Sequence, residues 1–292
     1  MKPVYLFLFA FCCSLCHAQS VRYVAPFFGN EDPENSYYLQ VFKRSLALAE
    51  AEFGVVELEP INVPMLQGRQ FRSLENDQID VMWSMTSRER ENRARAIRIP
   101  LTMGLIGYRV LVIKESDKSK FAALSTSEQL KKETALLGHD WPDIEIMKAN
   151  GFLVEAVSWH NSMYSLLGGK QFDYFPRGIL EIGQELSFFN QGGHFILEDK
   201  WLLKYPAAMY FFVHKDNEKL AQRLEAGLTK MLESGELRSM LLTHPSHHQG
   251  LQILNLQSRT MVNLDNPLLP DQTPTLIPNY WLSLDDLLQN TY

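Results

Sequence analysis

The residues best placed for chemistry lie in one stretch, 81–115, where a strand runs into serine, threonine and arginine. Ile79, Val81, Trp83 and Met85 alternate with Asp80, Met82 and Ser84 at the two-residue period of a pleated surface. Thr86 and Ser87 then turn the chain into the charged run Arg88-Glu89-Arg90-Glu91. A strand that ends in such a turn points backbone N–H groups and hydroxyls outward. An arginine beside it adds a planar, two-pronged donor that fits a carboxylate or phosphate. The chemistry on offer is therefore anion binding. Catalytic patterns are missing: there is no Gly-x-Ser-x-Gly elbow, no His-Glu-x-x-His helix and no Walker loop. His244-Pro245-Ser246-His247-His248 has the look of a metal cluster, but no acid or cysteine stands nearby and histidines beside a proline turn are commonplace. No cofactor and no metal are expected.

The polypeptide behind that stretch has 292 residues, enough for one large or two ordinary domains. Its hydrophobic content of 46% and charged content of 21% are those of a globular protein. A net charge of −6 without a dense basic block argues against a nucleic-acid partner. Residues 1–18 read as an export signal: Lys2 at the start, an apolar run over 4–15, and the small-x-small site Cys16-His17-Ala18. That run is short of the ~20 residues needed to span a bilayer. Phe11 before Cys12 and Leu15 before Cys16 do not suit lipid attachment. Cleavage after Ala18 is expected, giving a released periplasmic protein. Since Cys12, Cys13 and Cys16 are the only cysteines, the mature chain would have no disulfide, reactive thiol or cysteine metal site.

The elements that position the site alternate. Residues 21–27 read as a strand, and Ser36 opens a helix whose apolar positions Leu39, Phe42, Leu46, Ala49 and Phe53 step by three and four to the stop at Gly54. A strand over 55–63 and a short helix marked by Leu66, Phe71 and Leu74 lead to the strand at 79–85. This is the βαβ order of a mostly parallel sheet, where ligands bind beyond the C-terminal strand ends. Phe27, Phe28, Trp83 and Ser84 sit at those ends. A second unit of like construction follows Lys114. Ser125-x-x-Glu128 reads as a capping box, 134–137 as a strand, and Pro142 as the start of a helix ended by Asn150-Gly151. Strands at 154–159 and 209–213 come next, then a helix with Leu220, Leu224, Leu228 and Leu232 on one face. The proline-spaced stretch 249–292 is expected to wrap back over the first unit.

The stretch 81–115 resembles the segment of the family 3 extracellular solute-binding proteins in which a strand ends in a Thr-x-x-Arg turn, followed by a short helix and an aromatic-Ser-x-Pro. Here Ser87-Arg88-Glu89-Arg90 fills the turn and Ile97-Arg98-Ile99-Pro100 stands in the later place. The resemblance puts the carboxylate-pairing arginine at Arg90. The charge pattern of the run itself reads Arg88, Arg93 and Arg95 as solvated partners of Glu89 and Glu91, worth tenths of a kcal/mol. The resemblance implies the type II periplasmic-binding-protein fold: two α/β lobes, each a mostly parallel sheet flanked by helices, joined by crossings near 104–110 and 205–210. Lobe 1 takes 19–107 and 208–248, lobe 2 takes 108–207, and 249–292 packs on lobe 1. Gly138-His139 stands where the family holds the ligand carboxylate at a helix start, with Asp143 as an alternative cap for that helix. The segment Phe172-Asp173-Tyr174 matches a family strand in which an acid five residues after the aspartate holds the ligand's α-amino group. That position is Gly178, beside Arg177, and Glu181 reaches it only if the backbone shifts. The implied ligand is therefore a small anionic solute, amino-acid-like or an organic acid, bound by a monomer that delivers it to an ABC permease. A module that presents its ligand state to a membrane sensor is the alternative. A dehydratase-like enzyme on the same fold, using Glu181 or His139, is the third reading.

Overall fold

A computed structural model describes residues 19–26, 33–158, 160–190, 192–275, 277 and 279–289. The signal segment 1–18 and the site candidates Phe27 and Phe28 lie outside the described residues. Among the described residues the strands in chain order are β1 (Gln19–Val24), β2 (Val56–Ile61), β3 (Val81–Met85), β4 (Arg95–Ile97), β5 (Tyr108–Lys114), β6 (Ala135–Gly138), β7 (Val154–Val157), β8 (Tyr174–Gly178), β9 (Phe195–Leu197), β10 (Trp201–Lys204), β11 (Met209–Val213) and β12 (Thr260–Asn263).

They form two sheets, one per lobe. The first has the order β2-β1-β3-β11-β4, and the second β12-β10-β5-β8-β6-β7 with β9 alongside β5. The expected parallel pairs are present in each: β1 with β2 and β3, β6 with β7 and β8. The crossing strands add antiparallel pairs, because a chain arriving from the other lobe enters the sheet from its opposite end: β11 against β3 and β4, β5 against β8, β9 and β10. Each sheet is thus mixed.

Helices cover the sheets as their apolar spacing dictates. Tyr37–Leu48 buries Leu39, Phe42 and Leu46. It lies against Glu218–Glu233, which buries Leu220, Leu224 and Leu228 with Met231 in the last core position and Leu232 only half-buried. The capping box of the second lobe sits one residue later than the sequence suggests. Thr126 accepts from Gln129 N–H and the Gln129 side chain reaches back, because Gln129, not Glu128, falls at the third helical position. No described helix is long and apolar enough to cross a membrane.

The two crossings run side by side. Tyr205 N–H donates to Gly107 C=O (3.1 Å), and Leu101 N–H donates to Met209 C=O (2.9 Å). The extension after residue 248 is not confined to the first lobe. β12 joins the second sheet beside β10, and Asn150 of that lobe exchanges hydrogen bonds with Asp265. Arg88 of the first lobe holds Pro267 C=O and pairs with Asp271, and Leu282 N–H donates to Met103 C=O at the first crossing (2.8 Å). The sheet edge at β10 has free backbone groups that a strand can pair, which propensity along 249–292 does not disclose.

Candidate functional site

A cavity of about 270 Å³ lies between the lobes. Ser36, Tyr37 and Tyr38 line it from the start of the first lobe's helix, Trp141, Arg177 and Glu181 from the second lobe, and His247 from the helix Pro245–Ile253. A larger cavity of about 850 Å³, beside Lys114, Tyr164 and Phe195, is lined by second-lobe residues alone and holds none of the anion-binding candidates. Tyr38 stacks on Trp83 at 6.2 Å, so Trp83 supports the cavity wall rather than lining it.

Arg90 is fixed by the turn that the sequence pointed to. Ser87 caps the helix Arg88–Arg93 by accepting from Arg90 N–H (3.2 Å). The Arg90 side chain, only 5% exposed, folds back across the strand end. Nη1 donates to Ser84 Oγ and to Met85 C=O (2.8 Å), and Nη2 donates to Asp140 C=O of the other lobe (2.7 Å). Its guanidinium lies 5.4 Å from the Phe71 ring centre. Burial pushes the Arg90 pKa down to about 10, because carbonyls and a hydroxyl surround the cation in place of a carboxylate. Of the neighbouring arginines, only Arg93 keeps part of the expected pairing with Glu89 and Glu91 among the described residues. Arg88 reaches Asp271, Arg93 chiefly Glu75 with a long contact to Glu89, and Arg95 Glu218; Glu91 is taken by Arg98 and Thr86. The six-residue helix keeps an internal pair, Arg93 with Glu89 (3.4 Å), and tertiary neighbours take the other arginines.

Arg177 is buried at 4% exposure and is not free for a solute anion. Its Nε donates to Glu185 Oε2 (2.6 Å), its Nη2 pairs with Glu185 and with Glu181 (3.1 Å), and its plane lies 4.9 Å from the ring centres of Trp141 and Phe175. Beside it Arg109 pairs with Asp143 (2.8 Å) and Glu181 (3.5 Å) and donates to the Tyr205 hydroxyl (2.8 Å), which in turn donates to Asp143. Desolvation opposes charge on both guanidiniums, but the adjacent carboxylates prevail and hold their pKa values above the ordinary range. Asp143 is therefore an ion-pair partner and does not cap the helix Asp143–Ala149, whose start is Pro142.

Glu181 reaches the Gly178 position without a shift of the strand. Gly178 N–H donates to Glu181 Oε2 (3.2 Å), and a side chain built on Gly178 would begin 2.6 Å from that oxygen and 2.8 Å from Arg109 Nη1. The carboxylate that β8 lacks is thus supplied from three residues on, in the volume the missing side chain leaves.

Of the ligand-site candidates read from sequence, Arg177 and Glu181 are the two among the described residues that line the cavity. Ser84, Ser87 and Arg90 form one cluster at the first-lobe strand end, with Trp83 behind Tyr38. Gly138 lies under the Trp141 ring, where a β-carbon would come within 2.6 Å of it. His139 is exposed and joins the sheet only through its backbone, to Val157 C=O. Tyr38, Trp141 and the Arg109, Asp143 and Glu185 cluster were missed. One signal was visible: Arg109 stands alone among apolar residues in the run 108–113, and a buried charge requires partners. The histidines of 244–248 hold no metal cluster among the described residues; His244 and His247 pack on Tyr37, with their Nδ1 atoms on Ser246 Oγ and Leu241 C=O.

No protein-family model and no curated protein matches the chain. Solved structures do. An ancestral arginine-binding protein bound to glutamine is 17% identical, with a TM-score of 0.57 over 78% of this chain and 98% of that one. A Salmonella typhimurium periplasmic binding protein of high arginine specificity is 18% identical, with a TM-score of 0.55 over 76% and 97%. A putative ABC-transporter binding component from Wolinella succinogenes, complexed with lysine, is 14% identical, with a TM-score of 0.57 over 78% and 95%. Two sheets, paired crossings and an inter-lobe cavity, together with these likenesses, give the chain the two-lobed type II periplasmic-binding-protein fold.

Proposed function

We propose that the protein captures a small amino-acid-like solute between its lobes and delivers it to an ABC importer after export and cleavage behind Ala18. The observation that carries this reading is the inter-lobe cavity, bounded by aromatic rings and by a carboxylate at the Gly178 position. The resemblance had pointed to a more anionic solute because Gly178 carries no acid. Glu181 supplies one, and the cavity wall of Arg177, Glu181 and Glu185, backed by the pair of Arg109 with Asp143, holds more carboxylates than guanidiniums. Such a wall suits an α-amino group better than a second carboxylate. The ligand carboxylate would then belong at Arg90 in lobe 1 (19–107 and 208–248), facing lobe 2 (108–207). The solved likenesses carrying glutamine and lysine support an amino acid.

A thermal-shift series with L-arginine, L-lysine, L-glutamine, L-glutamate and succinate tests it. A ligand at 100 times its dissociation constant adds about 2.7 kcal/mol to stability. At least one amino acid should raise the melting temperature and succinate should not. A shift by succinate alone restores the organic-acid reading, and no shift at all removes the solute-binding one. N-terminal sequencing of the exported protein should begin at Gln19.

A further inference from the structure

We propose that Asp140 is a built-in occupant of the first lobe's anion subsite, holding the lobes together until a solute carboxylate displaces it; this rests on the cleft being a solute site. Asp140 belongs to the second lobe, in the turn between β6 and the helix Asp143–Ala149. It makes two polar contacts with the first lobe among the described residues. Its carbonyl accepts from Arg90 Nη2 (2.7 Å), and its carboxylate Oδ2 accepts from Gly68 N–H (3.0 Å). Gly68 lies in the first turn of the nine-residue helix Gln67–Glu75, where backbone N–H groups lack helical partners and the dipole favours negative charge. Gln67 of the same turn accepts from Ser84 Oγ, and Ser84 accepts from Arg90 (2.9 Å for the first of these). The subsite is therefore a connected set of Gly68 N–H, Ser84 and Arg90.

Two features mark it as built for an anion. Arg90 is the exception among the deeply buried cleft arginines: Arg109 and Arg177 both rest on carboxylates, whereas Arg90 has no ion pair among the described residues. A carbonyl is a weaker partner for a buried guanidinium than a carboxylate. The occupant is also held firmly. Trp141 N–H donates to Gly138 C=O (3.0 Å) and the Trp141 ring covers Gly138, so the turn presents Asp140 to the first lobe as a rigid unit. A solute carboxylate that takes the Gly68 N–H and the Arg90 Nη2 donor that Asp140 now holds must break the Asp140 contacts, and its apparent affinity falls by the fraction of molecules so locked.

Small-angle scattering of the mature protein without solute, for wild type, Asp140→Ala and Asp140→Asn, tests the lock, with circular dichroism to verify folding. Wild type should scatter as the closed form. Asp140→Ala should show a larger radius of gyration, and Asp140→Asn, which keeps an acceptor for Gly68 N–H but no charge, a smaller increase. A folded Asp140→Ala with the wild-type radius overturns the proposal. Should that variant not fold, an unchanged radius for Asp140→Asn does so. In titration calorimetry with L-glutamine and L-arginine as probes, Asp140→Ala should bind about 10-fold more tightly than wild type, the value of one charged hydrogen bond. Scattering that responds while neither probe binds any variant keeps the lock and rejects the proposed solute class.

Discussion

At the scale of the residue, Arg90 and Gly178 carry the sharpest tests. Arg90 places three of its five N–H donors within the protein, on Ser84, Met85 and Asp140, and burial lowers its pKa. Arg90→Lys cannot reproduce three donors in one plane, so it should lose about 1–3 kcal/mol in urea denaturation. Arg90→Ala should weaken solute binding by about 10- to 100-fold in calorimetry. Arg88→Ala is the control. Its exposed pair with Asp271 is worth less than about 1 kcal/mol, and solute affinity should stay near wild type. Gly178→Asp restores the acid that the sequence lacks at that position, and it should destabilise, because Glu181 and Arg109 already fill the space. Combining it with Glu181→Ala should recover stability. Denaturation of the two single variants and the double variant gives a coupling energy, and simple additivity would refute the exchange of volume.

Two elements make predictions of their own. The strand β8 and the helix Ile182–Phe189 are bound by the buried pair of Arg177 with Glu185, which also accepts from the Tyr164 hydroxyl (3.0 Å). Glu185→Ala leaves a buried guanidinium with Glu181 alone and should cost about 3–5 kcal/mol. The helix Pro245–Ile253 places His247 against Tyr37 and His244, and burial lowers the His247 pKa to about 4. The free side chain titrates near about 6.5, so the unfolded chain takes up this proton first as pH falls. The stability from a neutral His247 is complete above about pH 6.5 and is lost progressively down to pH 4. Urea midpoints should therefore fall less between pH 7 and 4.5 for His247→Gln than for wild type, from a lower start at pH 7.

For the whole molecule, the extension ties the two lobes to each other. It adds β12 to the second sheet, takes Arg88 of the first lobe, and closes on the first crossing through Leu282 and Trp281. Trp281 lies so close to Gly104 that a β-carbon there would fall 2.1 Å from the ring, and Gly104 has a left-handed φ of +80°. Its indole N–H donates to Pro274 C=O (2.7 Å), which ties the end of the strap to its middle. Trp281→Ala and Gly104→Ala should both release the strap. Limited proteolysis should then cut between residues 264 and 284 sooner than in wild type. Equal cutting rates would show that the strap is held by β12 and Arg88 without the Trp281 contact.

The two-lobed architecture came from the family resemblance, while the sequence by itself determined the alternation of strands and helices and the Ser87-x-x-Arg90 turn. Each is written in short-range spacing: period two in β3, steps of three and four in Tyr37–Leu48, a cap three residues before its donor. It did not determine what those groups touch. Arg90 meets Asp140 fifty residues away, Arg109 meets Asp143 and Tyr205, and Arg88 meets Asp271. The acid missing at Gly178 returned through Glu181, because a side chain's reach in three dimensions, and not its place in a motif, settles where its charge resides. The extension shows the same limit. Its prolines announced a segment that wraps, but which sheet edge it would join was decided by the unpaired backbone groups that folding left at β10.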